Sequence, residues 1–166
     1  MGLDDLIQIG PFGIPQLAEF IHKRISSFEW SGKLADFITE DALAGLVLAT
    51  DGNPRMILQV LRNAMDVANE KRRNYPLKIE SIRDGLNLLN KPEIDDTDFA
   101  ILMYIRRAKS VYPSDKKFVS KIGGSASNLS RRCRALKEVG VLDSTTVKKG
   151  QTRQEVYSYP IIDHNY

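Results

Sequence analysis

The chain has 166 residues, 42% of them hydrophobic and 27% charged, with one cysteine and a formal net charge of +3. That length suits one ordinary domain or two small ones, and the composition is that of a soluble globular chain. No apolar run approaches the roughly 18–20 residues that span a bilayer. The opening MGLDDLIQIG lacks a basic stretch followed by an apolar core, so no signal peptide is expected. A lone Cys133 allows neither an internal disulfide nor a zinc cluster, and a reducing, cytoplasmic setting is expected.

Residues 3–9 read as a strand end or a lead-in. In IPQLAEFIHKRISSF the apolar positions Leu17, Phe20, Ile21 and Ile25 have helical spacing, and Pro15 suits the first turn. EWSGKLADF reads as a loop with a turn. TEDALAGLVLAT predicts a second helix with Thr39 as N-cap, stopped by Asp51-Gly52. A third helix is predicted from about Pro54 to Asn74, with Ile57, Val60, Leu61, Ala64, Val67 and Ala68 on one face and Tyr75-Pro76 ending it. KIESIRDGLNLLN is a shorter fourth helix. A domain boundary is expected at Lys91-Pro92, separating a helical domain (1–92) from a second domain (93–166).

The second part has a different rhythm. DDTDFAILMYIRRAKSVYP is a helix capped by Asp95, Asp96 or Thr97. SDKKFVSKIG is a short helix stopped by Gly123-Gly124, and SASNLSRRCRALKEVGVL is a third, stopped by Gly140. Two β-rich runs, Ser144–Val147 and Glu155–Tyr159, then flank the turn KKGQTR.

The charge is distributed unevenly. Up to Pro92 the chain has 11 basic and 12 acidic residues; from Glu93 onward it has 13 basic and 9 acidic. The basic excess of the second part points to a polyanion partner there. In its third helix Leu129, Cys133 and Leu136 lie within about 60° of one another and should face the core. Ser127, Arg131 and Arg134 lie on the far side, with Asn128 at its edge. An apolar inner face with a Ser/Asn/Arg outer face suits the major groove of duplex DNA. GGSASN at the start of the helix has small side chains that let a phosphate approach. Lys148, Lys149 and Arg153 surround Gly150 at the hairpin tip, where they are candidates for phosphate contacts. Lys116, Lys117 and Lys121 are candidates for further backbone contacts.

Three helices followed by a β-hairpin is the order of a winged helix-turn-helix, and Asp95 to Pro160 resembles the winged-helix DNA-binding domains. A basic face that is merely solvated, or that contacts another protein, is the competing reading.

The first part has no catalytic constellation. His22 and His164 lie far apart with no paired Ser or Cys, no carboxylates pair for acid–base work, and no G-x-x-x-x-G-K-[ST] loop occurs. The chain is therefore not expected to be an enzyme by itself, and no cofactor is expected in it. One feature is unusual: Gly52-Asn53-Pro54-Arg55 places an arginine in the first turn of a helix, against the usual charge preference of the dipole.

The helix order around that motif resembles the lid domain of AAA+ ATPases. The similarity includes IGPFGIPQLAEFIHKRI, ITEDALAGLVLATDGNPRMILQVLRNAMDVA and LKIESIRDGL, and in form it is nearest the archaeal origin-recognition and cell-division-cycle replication initiators. That family also follows its lid with a winged helix. The resemblance implies that the fold is mainly α, a helical lid bundle followed by a winged helix with a small β-hairpin. It implies that Arg55 is a second-sensor arginine, meeting the γ-phosphate of ATP bound to a base domain. It implies that the partners are double-stranded DNA and such a base domain or further copies of the chain. ATP and magnesium would enter only with that base domain, whose phosphate loop and magnesium-binding acidic pair do not occur in these residues. A free-standing transcription regulator with a dimerising helical part, or a winged-helix protein-interaction module, are the alternatives.

Overall fold

The computed structural model describes residues 10–27, 32–90 and 93–163. Residues 3–9, part of the EWSG loop, Lys91-Pro92 with the expected boundary, and His164 lie outside the described residues.

Helix α1 (Ile14–Ser26) buries Leu17, Ile21 and Ile25, and Pro15 occupies its first turn. Helix α3 (Glu40–Thr50) runs through the middle of the first part, with Ala42, Leu43, Ala44, Gly45, Leu46 and Val47 all buried. Six consecutive buried positions cover every direction around a helix, so α3 needs neighbours on all sides. Helix α4 (Pro54–Glu70) buries the six apolar residues that its periodicity marks. Helix α5 (Ile79–Asn87) packs against it, and small residues allow the close approach: a methyl at Gly85 would lie 2.6 Å from the Val60 carbonyl oxygen.

Three sequence expectations need correction here. Leu34–Phe37 form a short helix, α2, where a loop was expected. Leu34 and Phe37 are buried, and the Asp36 carboxylate accepts the Lys33 N–H at 2.9 Å. Helix α4 ends at Glu70, not Asn74, because Arg72 turns left-handed (φ 51°) and residues 71–74 include no apolar side chain to bury. Thr39 holds the N-cap position of α3, but its hydroxyl donates to the Leu77 carbonyl oxygen rather than capping the helix.

The second part is helix α6 (Asp96–Ala108), strand β1 (Ser110–Val111), helix α7 (Lys116–Ile122), helix α8 (Ala126–Glu138), and strands β2 (Asp143–Lys149) and β3 (Thr152–Ser158). The three strands are antiparallel in the order β1-β3-β2. This is the winged-helix arrangement, in a mainly α chain with one small sheet. Strand β1 was not legible in the sequence; it is two residues long and pairs with Tyr157 and Ser158 far along the chain. The hairpin is longer than its β-rich runs, leaving only Gly150 and Gln151 as the turn. Asp95 caps α6, its carboxylate accepting the Asp98 N–H at 2.9 Å.

The two parts share one hydrophobic cluster that includes Leu43, Leu46, Ile94, Ile101, Leu142 and Ile162. Glu40 in the first turn of α3 pairs with Arg106 at 2.9 Å, and its backbone oxygen accepts from the Tyr159 hydroxyl at 3.4 Å. No described helix is long and apolar enough to cross a membrane.

Glu155 fastens the hairpin to α8. Its carboxylate accepts from Ser144 (2.7 Å), Tyr157 (2.7 Å) and Lys137 (3.0 Å). Hydrogen bonds from the Ser144 hydroxyl, then from the Tyr157 hydroxyl and the Lys137 ammonium, hold its pKa at about 2, below the ordinary 4.5. A depressed carboxylate pKa contributes stability above the unfolded value, and that stability is lost as pH falls through the folded one. Thermal melts should therefore show a contribution fully present above pH 4.5 and fading toward about pH 2. The Glu155→Gln protein should lack that component; identical pH profiles for the two proteins would refute the assignment.

Candidate nucleic-acid interface and sensor turn

Helix α8 is built to show one face outward. Ser125 caps it, accepting the Asn128 N–H at 3.2 Å. Leu129, Cys133 and Leu136 are buried, fixing the rotation of the helix about its axis. Burial pushes the Cys133 thiol up to about 12, which leaves it an inert core residue. Ser127, Arg131 and Arg134 are exposed on the opposite side. Asn128 is half-buried, and its Oδ1 accepts from Arg131 Nη2 at 3.1 Å. Neither Arg131 nor Arg134 forms an ion pair with any described residue.

The adjacent Arg132 behaves differently. Its guanidinium donates to Asp95 at 3.2 Å and to Asp98, tying α8 to the first turn of α6. The Asp98 carboxylate raises the Arg132 pKa further above its ordinary range. Lys137 is engaged likewise, by Glu155.

The other predicted cations lie on α7 and in the wing. Asp115 caps α7 through the Lys117 and Phe118 N–H groups, and Lys116, Lys117 and Lys121 are exposed along the helix. Lys117 and Lys121 share a side by their four-residue spacing. In the wing, Lys148 lies directly opposite Arg153 in the ladder, and both are exposed. Like charges at directly opposed strand positions are destabilising, so this pair is unfavourable for the hairpin itself. Lys149 lies opposite Thr152.

The turn before α4 forms a second, separate cluster. Asp51 (φ 49°) and Gly52 (φ 68°) both adopt left-handed backbone. A methyl at Gly52 would lie 2.4 Å from the Phe12 carbonyl oxygen, so glycine is needed there twice over. Asn53 is the N-cap, its Oδ1 accepting from the Arg55 N–H at 3.1 Å and the Met56 N–H at 3.2 Å. That role was missed in the sequence, although Asn followed by Pro at the first helical position is its signal. Because Asn53 already takes those two N–H groups, an anion at this helix start would meet the Arg55 side chain first. Arg55 is exposed and pairs with neither Asp51 nor any other described carboxylate.

The sequence also gave no sign of an apolar groove of about 620 Å³ between α1 and α4, lined by Phe20, Ile25, Phe37, Leu61 and Tyr75. None of the predicted site residues lines it. Among the described residues no group of three His, Cys, Asp or Glu side chains is placed to hold a metal.

No protein-family model matches the chain, and no curated protein sequence matches it. Among solved structures it is similar to the RuvB Holliday junction branch migration motor of Thermotoga maritima, with 17% identity and a TM-score of 0.41, covering 88% of this chain and 47% of that one. Two single-residue variants of the same RuvB give 17% and 18% identity, each with a TM-score of 0.39 over 86% of this chain, and cover 45% and 46% of those chains. The chain thus spans less than half the length of the solved chains it matches.

The geometry separates Arg132 from its neighbours in a measurable way. Arg132→Ala should cost about 1 kcal/mol of stability, a partly exposed ion-pair value. Arg131→Ala and Arg134→Ala should stay within about 0.5 kcal/mol of the parent, as for surface changes. Urea unfolding midpoints test this; equal losses in all three would mean that Arg132 is not structural.

Proposed function

We propose that this chain is the lid and winged-helix part of a DNA-acting ATPase of the AAA+ type. Helix α8 enters the major groove of duplex DNA, and the wing contacts the backbone beside it. The observation that carries the reading is the exposed Ser127/Arg131/Arg134 face, whose arginines have no carboxylate partner among the described residues although Asp95, Asp98 and Glu155 pair with Arg132 and Lys137 of the same helix. In this reading Arg131 and Arg134 address base edges, where guanidinium groups bond guanine in a bidentate way. Asn128 orients Arg131, and Ser127 lies nearest the backbone at the start of the helix. Lys148, Lys149 and Arg153 hold phosphate, with Lys116, Lys117 and Lys121 adding charge.

Arg55 is proposed as a sensor of a nucleotide bound to a base domain, on the support of the Gly52–Asn53–Pro54 turn that presents it. ATP and magnesium belong to that base domain, and this chain alone would hydrolyse nothing. Replication initiation or related DNA remodelling is the activity proposed for the whole ATPase, with self-association of such subunits.

Arg131→Ala should weaken binding by about 1–3 kcal/mol and relax the preference at one base position. Lys148→Ala should weaken all sequences alike and flatten the salt slope of log K by about 1. Fluorescence anisotropy over a salt series with a randomised duplex pool measures both. Unchanged affinity in both variants would end the DNA assignment. Parent binding with no sequence preference would favour the protein-interaction module instead.

A further inference from the structure

Two turns that are far apart in sequence are joined through one short stretch of main chain. The Phe12 N–H donates to the Gly52 carbonyl oxygen at 2.7 Å, and the Ile14 N–H donates to the Gly140 carbonyl oxygen at 3.3 Å. Gly52 directly precedes the Asn53 cap that presents Arg55. Gly140 ends α8, where its own N–H bonds the Lys137 carbonyl oxygen at 2.9 Å. The path between the α8 end and the Arg55 turn is therefore backbone at every step.

Glycine makes that possible at three places. A methyl at Gly13 would lie 2.8 Å from the Gly140 carbonyl oxygen, one at Gly140 would lie 3.1 Å from the Gly13 Cα, and one at Gly52 would lie 2.4 Å from the Phe12 carbonyl oxygen. Gly52 and Gly140 also need their positive φ, whereas Gly13 has an ordinary extended backbone (φ −77°, ψ 178°). The only reason for glycine at position 13 is close contact. The Phe12 ring, packed on Phe20 with centroids 5.3 Å apart, anchors the stretch to α1.

Side-chain contacts can absorb a small displacement by changing rotamer, but direct main-chain hydrogen bonds follow the displacement or break. The two ends of this stretch are unequal. The Phe12–Gly52 bond is short, and the Ile14–Gly140 bond is long. A shift of α8 is thus either transmitted to Phe12 and Gly52 or released at Gly140.

We propose that Phe12–Ile14 is a backbone strut coupling the DNA-recognition helix to the Arg55 turn, so that DNA binding and occupancy of the sensor turn regulate each other. This rests on the reading of α8 as the DNA-contacting helix. Coupling of this kind is reciprocal, and a coupling of ordinary size changes an equilibrium by about 5–150-fold.

The test needs only the whole chain and a duplex that it binds. Amide hydrogen exchange is followed by NMR with and without saturating DNA, and affinity is measured on the same samples. The Phe12 and Ile14 amides should change exchange rate by about fivefold or more on DNA binding. The Thr39 amide, bonded to the Leu77 carbonyl oxygen at 3.0 Å, is the control and should not change. The second arm is Gly13→Ala, which suits the local backbone but wedges the strut off Gly140. In this variant DNA should still bind, and the response at Phe12 should disappear. Saturable DNA binding with unchanged Phe12 and Ile14 exchange would overturn the strut while leaving the DNA reading standing. A Phe12 response that survives Gly13→Ala would overturn it as well. Absence of DNA binding would instead remove the underlying reading, and the strut with it.

Discussion

Helix α3 has no exposed side through its middle, and the architecture follows from covering it. Leu43, Leu46 and Val47 are buried to within 1% of full burial, and the alanines and Gly45 between them let neighbours approach closely. Burying such side chains is worth about 1.5–3 kcal/mol each, and no single partner helix can cover all directions. Helices α1, α4 and α5 cover three sides, and α6 of the winged helix covers another. A methyl at Gly45 would press on both Ile79 and Ile94, residues from either side of the expected boundary. The winged helix is thus seated on the helical first part by the same apolar requirement that builds that part.

Polar contacts then fix the angle at which the second part sits. Apolar packing tolerates small rotations, but the Glu40–Arg106 pair and the Tyr159–Glu40 hydrogen bond each have one good geometry. The main-chain contacts at Gly13 and Gly140 are stricter, since no side chain intervenes. Orientation matters for the proposed function. Arg131 and Arg55 lie on different helices, and they can report on each other only if the parts carrying them keep one relation.

What could be read from the sequence, and what could not, divides by range. The α4 face was legible because six apolar residues repeat at the helical period, and each is buried. The outer face of α8 was legible for the same reason. Helix α2 has four residues, too short to show a period. Strand β1 has two, and its partners in β3 lie beyond two intervening helices. The turn at Gly52 was recognisable as a turn, but its contact with Phe12 was not. The contact that excludes a side chain at Gly13 was not legible, because beyond the flexible end of Gln16 the atom that a methyl would strike is the Gly140 carbonyl oxygen. Local chemistry wrote the elements, while contacts between distant segments set their ends and their junctions.

The same division governs the charges. Counting lysines and arginines overstates the interface, since α8 contains basic residues of two kinds. Arg132 and Lys137 are matched by carboxylates on α6 and β3, and they hold the helix in place. Arg131, next to Arg132, and Arg134, three residues before Lys137, point to the other side and lack such a match among the described residues. Asp95, Asp98 and Glu155 are engaged by those two cations, and Glu138, exposed four residues from Arg134, forms no ion pair with it. The partners that fix α8 thus leave its outer charge uncompensated, and the opposed Lys148–Arg153 pair in the wing adds more positive charge at some cost to the hairpin. In the proposed function that positive charge is met by the phosphates of a duplex, which repeat regularly along a length of surface.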